Sequence, residues 1–239
     1  MVKAILFDMG GTLDGDGLHW LDRFEILYAN AGIVIPRERL RAAFDEAEHK
    51  AATDDVMGRA PLAAMLDRHM RWQFDALAQS GDPLPLDDLL RRRIVGEFVD
   101  IVQRAARVNA AMLQALKARG FVLGVVSNGC GNVDVLCGDL GYTPMLSLIV
   151  DSRRVNLFKP DPEIYRHAAA ALALEPGSIM MVGDSFERDV RPAKATGMAT
   201  AWLQGPGGAP CPDPALADIV LRELAELPAA LAAREETLA

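Results

Sequence analysis

Two kinds of hydrophobic patterning alternate along the chain. Short unbroken apolar runs, Ala4-Ile5-Leu6-Phe7, Phe121-Val122-Leu123-Gly124-Val125-Val126, Leu146-Ser147-Leu148-Ile149-Val150, Ile179-Met180-Met181-Val182 and Ala199 to Leu203, have the length and makeup of strands buried on both faces. Around them apolar residues return at helical spacing. Met112, Leu113 and Leu116 predict a helix closed by Gly120, Ile164, Tyr165 and Ala169 one opened by Lys159-Pro160-Asp161-Pro162, and a further helix closes at Gly197. Such alternation gives parallel strands joined by helices.

The interval between the first two strands reads differently. Trp20, Leu21, Phe24, Leu27 and Tyr28 repeat at helical spacing up to Gly32, and Pro36 leads into Leu40, Ala43, Phe44 and Ala47. Two further helical patterns cover 61–79, with Leu62, Met65, Leu66, Met70 and Phe74, and 86–104. No strand pattern interrupts them. The expectation is a Rossmann-like α/β core of residues 1–16 and 105–239, interrupted after the hinge-like Gly15-Asp16-Gly17 by an all-helical domain of residues 17–104. The Met and aromatic stripes read as the insert's own core, and Arg91-Arg92-Arg93 as a solvated face. A Gly- and Pro-rich loop from Gly205 to Pro214 and a helical tail after Leu221 complete the chain, which has no internal repeat.

Composition narrows the function. Half of the 239 residues are apolar, enough for a sizeable core, and the net charge of −8 argues against a phosphate-backbone or acidic-lipid surface as partner. There is no secretory leader pattern and no apolar run near the ~20 residues that span a bilayer, so a cytoplasmic protein is expected. Cys130, Cys137 and Cys211 are odd in number and lack metal-ligand spacing, which reads as reduced thiols.

The candidate chemistry stands where the strands end. Asp8 follows the first strand and precedes the Gly10-Gly11 pair; Ser127-Asn128 follow the second; Lys159 precedes a proline; Asp184 follows Gly183, with Asp189 beyond. In open parallel sheets ligands bind just outside the carboxyl ends of the strands, so these groups converge if the strands are neighbours. Singly, each has a plain explanation: a helix cap for Ser127, a surface cation for Lys159, an Asx turn for Asp184. Gathered together, three carboxylates repel unless a hard divalent cation lies between them, and Mg²⁺ is the default beside phosphate.

With these residues in place, Phe7-Asp8-Met9-Gly10-Gly11-Thr12-Leu13, Val126-Ser127-Asn128, Lys159-Pro160-Asp161-Pro162 and Gly183-Asp184-Ser185 with Asp189 resemble the four ordered motifs of the haloacid dehalogenase-like hydrolase superfamily. The resemblance implies Mg²⁺-dependent hydrolysis of a small phosphorylated metabolite, with Asp8 as the nucleophile that forms an aspartyl-phosphate. It further implies that Ser127 and Asn128 bind the transferring group, that Lys159 orients Asp8 and offsets charge, and that Asp8, Asp184, Asp189 and the Gly10 carbonyl hold the metal. The helical insert resembles the family's C1 cap. In such caps the Met57-Gly58-Arg59 break would dip toward the site and bring Arg59 to the substrate; an interhelical turn with a solvated arginine is the other reading.

One position departs from the family. Phosphatases of this kind carry aspartate where Gly10 stands, and its side chain protonates the leaving oxygen and then activates water. Glycine keeps the carbonyl and loses a general acid–base contribution of ~10²–10⁴ in rate. Asp14 or Asp16, then His19, are the candidates to replace it. Alternatively the leaving group needs little protonation, as in phosphonoacetaldehyde hydrolases, where Lys50 would form the imine. A 2-haloacid dehalogenase, or a weakened protein that binds a phospho-ligand, are further alternatives. The missing acid counts against a phosphosugar mutase.

Overall fold

A computed structural model describes residues 1–208 and 210–238. Six parallel strands form the centre: β1 (Ala4–Phe7), β2 (Val122–Ser127), β3 (Leu148–Asp151), β4 (Ile179–Gly183), β5 (Ala199–Leu203) and β6 (Ile219–Leu221), in the order β3-β2-β1-β4-β5-β6. Helices α1 (Trp20–Asn30), α2 (Arg37–Thr53), α3 (Leu62–Gln79) and α4 (Asp88–Ala118) separate β1 from β2. Then come α5 (Val133–Asp139), α6 (Ser152–Val155), α7 (Glu163–Ala171), α8 (Arg191–Ala195) and α9 (Leu227–Leu238).

Period-two alternation splits β1, β2, β3 and β4 between two apolar layers. Ile5, Phe7, Leu123, Val125, Met180 and Val182 pack with Met112, Leu113 and Leu116 of α4 and Leu227 and Leu231 of α9. Ala4, Leu6, Val126, Val150, Ile179 and Met181 pack with Ile164, Tyr165 and Ala168 of α7. Burial on both faces is why the strands read as continuous apolar runs. The sixth strand escaped the sequence reading because it has three residues, and Val220 at its centre is exposed. Among the described residues, no helix is long and apolar enough to cross a membrane.

The helical patterns at 86–104 and 109–120 are one helix. Ala105-Ala106-Arg107-Val108 holds no glycine or proline, and Ala106 and Asn109 are buried, so nothing breaks α4 across the expected 104/105 division. At ~1.5 Å per residue this rod is about 46 Å long and carries one apolar layer from the insert onto the sheet.

Chain order places β1 in the middle. From it the chain moves outward through β2 and β3, then returns to lay β4 on its other side, so the crevice between β1 and β4 is where the winding reverses. Phe7 pairs with Val182, and the Asp8 amide donates to the Val182 carbonyl at 2.9 Å.

The loop leaving β1 is closed by Asp14. Its Oδ1 accepts from the Gly11 amide at 2.7 Å and its Oδ2 from Trp20 Nε1 at 2.9 Å, while Asn109 Nδ2 and the Tyr142 hydroxyl donate to the Leu13 carbonyl at 2.9 and 2.7 Å. Burial pushes the Asp14 carboxyl up to about 7; the bonds from Gly11 and Trp20 oppose the shift, and the charge of Asp8 adds to it. A folded-state value above the unfolded one favours the protonated form, so this stabilisation is complete below about pH 4 and is lost as pH rises through about 7. The stability of the protein relative to its Asp14→Asn variant should therefore fall by about 3 kcal/mol between pH 4 and 7.5. Paired urea titrations across that range check it, and a flat difference would refute it.

Candidate functional site

The strand-end groups converge. Lys159, carried by the segment before α7, is buried and donates through Nζ to Asp8 Oδ1 and Asp189 Oδ1, both at 2.6 Å. Carboxylate oxygens of Asp8, Asp184 and Asp189 all lie within 4.8 Å of one another. Burial opposes the charge on Lys159, but the attraction of Asp189 and Asp8 outweighs it and holds the ammonium above the usual lysine range. Burial, reinforced by Asp8 and Asp189, drives the Asp184 carboxyl well above its ordinary value. Asp189 is raised too, because burial and Asp8 exceed the relief given by Lys159.

Local structure fixes each carboxylate. Thr12 donates its hydroxyl to Asp184 Oδ1 at 3.1 Å and accepts from the Asp184 amide at 3.1 Å, so the loops after β1 and β4 are tied by one side chain. Trp202 Nε1, on β5, holds the Asp184 carbonyl at 2.9 Å, and the Ser185 amide donates to Asp189 Oδ2 at 3.0 Å. Gly11 has φ +86°, and a Cβ there would stand 2.7 Å from Asp184 Oδ2, so both conformation and space require glycine. Gly10 is different: at φ −71° its nearest neighbour to an added Cβ would be Trp20 Nε1 at 3.9 Å, which leaves room for a side chain.

The donor set fits a hard divalent cation. It offers oxygen only, it is drawn from two adjacent strand ends, and a single ammonium faces three carboxylates. Asp8 and Gly10 also line a cavity of about 640 Å³ with Ser127, Asn128 and Lys159. Asn128 spends its side chain on positioning: Nδ2 donates to the Lys159 carbonyl at 2.9 Å, and Oδ1 accepts from the Lys159 amide at 2.8 Å. The helical insert closes the opposite wall with Trp20, Phe44, Met57, Met65 and His69.

Other expected residues lie elsewhere. Arg59 is exposed and absent from the cavity wall, which Met57 reaches instead. Lys50 pairs with Glu46 at 2.7 Å on the outer side of α2, away from the cavity. Asp16 is exposed and bound to Arg23 at 2.7 Å. His19 lines the cavity, but its Nδ1 caps α1 by accepting from the Leu21 amide at 3.2 Å, and burial, with Arg188 nearby, holds its pKa below the usual value. Asp14 also lines the cavity, with both oxygens engaged. Cys130, Cys137 and Cys211 are free, and burial pushes the Cys130 thiol up to about 12.

Sequence reasoning gave no role to Thr12, Trp202 or the polar pair His69 and Gln73. For the last pair a signal existed: both fall on the apolar face of α3, among Leu66, Met70 and Leu77, where an unpartnered polar group is costly.

Comparisons with known proteins agree with this geometry. A family model described as haloacid dehalogenase-like hydrolase matches residues 2–197. The phosphoserine phosphatase of Thermus thermophilus is 32% identical over 224 residues, covering 84% of this chain and 88% of that one. The N-acetylmuramic acid 6-phosphate phosphatase of Pseudomonas aeruginosa is 26% identical over 205 residues, covering 85% and 82%. Among solved structures, a HAD phosphatase from Thermococcus onnurineus superimposes with a TM-score of 0.56 at 23% identity, over 96% of this chain and 98% of the other, a likeness of fold. A match that runs from the first strand to the end of α8, and a relative aligned over most of both chains, establish that this chain belongs to the haloacid dehalogenase-like hydrolases.

Proposed function

We propose that the protein hydrolyses a small phosphomonoester with Mg²⁺, using Asp8 as nucleophile. The observation that carries this reading is the bridge of Lys159 between Asp8 and Asp189 at 2.6 Å each, with Asp184 in the same cluster. A carboxylate attacks phosphorus when its charge is held in place rather than neutralised, and the buried ammonium does that by binding one oxygen of Asp8. Asp8 displaces the alcohol to give an aspartyl-phosphate, which water then cleaves. Ser127 faces the transferring group from the end of β2, and Asn128 keeps Lys159 in register. Asp8, Asp184, Asp189 and the Gly10 carbonyl would hold Mg²⁺, which supplies charge neutralisation between carboxylates and phosphoryl oxygens. The insert walls the cavity opposite the strand ends, and closing it further over a bound substrate would exclude bulk water. The Thermus and Pseudomonas relatives support phosphate as the group removed, and O-phosphoserine is a natural first compound to assay.

Hydrolysis of p-nitrophenyl phosphate and a panel of phosphorylated metabolites with Mg²⁺ tests the reading; Asp8→Asn should lower kcat by at least about 10³-fold. Ligand binding without product over long incubation would point to a binding protein instead. In a thermal scan, Mg²⁺ at about ten times its Kd should raise Tm by about 2–4 °C. Asp184→Asn should abolish that rise, and an undiminished rise would place the cation elsewhere. Because position 10 has room and ordinary backbone angles, Gly10→Asp should fold and raise kcat on alkyl phosphates at least about tenfold, with less gain on p-nitrophenyl phosphate, whose leaving group needs little protonation.

A further inference from the structure

Asp22, Asp45 and Glu48 line the cavity without a part in the chemistry above, and Glu48 is held there by a buried side chain, His69. Arg41, Asp45 and Glu48 follow one another on α2 at intervals of four and three, which puts them on a single helix face, and all three line the cavity. Glu48 lines the cavity with 51% of its side chain open, and its inner oxygen is held by a buried partner. Its Oε1 lies 2.9 Å from His69 Nε2; His69 Nδ1 lies 2.9 Å from Gln73 Nε2; and the Tyr28 hydroxyl donates to Gln73 Oε1 at 3.3 Å.

The proton positions follow from the chain of partners. A Gln73 carbonyl that accepts from Tyr28 leaves the amide nitrogen to donate to Nδ1, so His69 carries its proton on Nε2 and donates to Glu48. Tyr28, His69 and Gln73 are each at most 1% exposed. Phe24 stacks on the His69 ring at 5.7 Å, and Phe44 packs against it at 5.2 Å. An all-apolar stripe would fill the same space with no polar groups to satisfy, so packing alone gives no reason for this relay. What it accomplishes is to fix one carboxylate in one place.

That carboxylate is short of partners. Among the described residues Oε2 has no hydrogen bond, and no lysine or arginine forms an ion pair with Glu48. Burial opposes its charge, but His69, helped by His19 and to a lesser degree by Arg188, holds the carboxyl below the usual carboxylate range. An ionised, oriented oxygen facing a cavity gains most from a cationic hydrogen-bond donor. The other end of the cavity belongs to the phosphoryl group, so the cation would sit on the alcohol that leaves.

We propose that Glu48 binds an ammonium group on the leaving alcohol, with His69 as its positioning residue, so that the site selects phosphomonoesters of amine-bearing alcohols: amino-alcohol phosphates or phosphorylated hydroxy amino acids. This rests on the phosphatase reading. The test is steady-state kinetics with Mg²⁺ on O-phosphoethanolamine against 2-hydroxyethyl phosphate, and on O-phosphoserine against 3-phosphoglycerate, pairs in which a hydroxyl replaces the amine. Wild-type kcat/KM should favour the amine of at least one pair by tenfold or more, and the pair with the larger ratio identifies which kind of alcohol is taken. Glu48→Gln should collapse that ratio by about 10–100-fold, mainly through KM for the amine. His69→Gln, whose amide can still donate to Glu48, should lose less. A wild type without amine preference, or a ratio that stays within about threefold of wild type in Glu48→Gln, overturns the inference and leaves the phosphatase reading standing. Failure of the wild type to turn over p-nitrophenyl phosphate and all four esters overturns both.

Discussion

Three like charges held around one buried ammonium are what the rest of the molecule is built to tolerate. At 4.8 Å and an effective dielectric near 20, each carboxylate pair repels by roughly 3 kcal/mol, more than most single side chains contribute to stability. Left to itself such a cluster would splay apart. It is held because every member is tied from outside: Asp184 by Thr12 and Trp202, Asp189 by the Ser185 amide, Asp8 by the ladder to Val182, and Lys159 by both polar atoms of Asn128. The raised carboxyl pKa values of Asp184 and Asp189 record burial first and the remaining repulsion second.

Parallel topology is what makes this affordable in backbone terms. Neighbouring strands of the order β3-β2-β1-β4-β5-β6 end at one edge, and the reversal of winding at β1 and β4 opens a crevice there without cutting the sheet. Gly11, whose Cβ would collide with Asp184, sets how closely the turn after β1 can approach the end of β4.

The insert is coupled to that edge more firmly than two units joined by linkers would be. Helix α4 carries one apolar layer from the insert onto the sheet, and Asn109 grips the Leu13 carbonyl a few residues from Asp8. The wall it helps to support carries its own buried polar chain through Tyr28, Gln73 and His69. Trp20, from the insert, comes to 3.9 Å from where a Cβ at position 10 would stand, so the two sides of the cavity meet beside Gly10.

Five of the six parallel strands and the four polar strand ends were legible in the chain, because apolar runs bounded by glycine and a carboxylate are local signals, whereas the three-residue β6 was too short to give one. Whether those strand ends meet was a matter of strand order, which no local pattern encodes, and the register of β1 against β4 decided it. The unbroken α4 was hidden because two windows of the same periodicity look alike whether or not a break separates them. Arg59 and Lys50 illustrate the limit from the other side: each stands near the cavity in sequence, and the rotation of its helix or turn turns it outward. His69 and Gln73 were visible as polar letters on an apolar face, but a letter has no partner until helices pack, and only packing of α1, α2 and α3 supplied Tyr28 and Glu48.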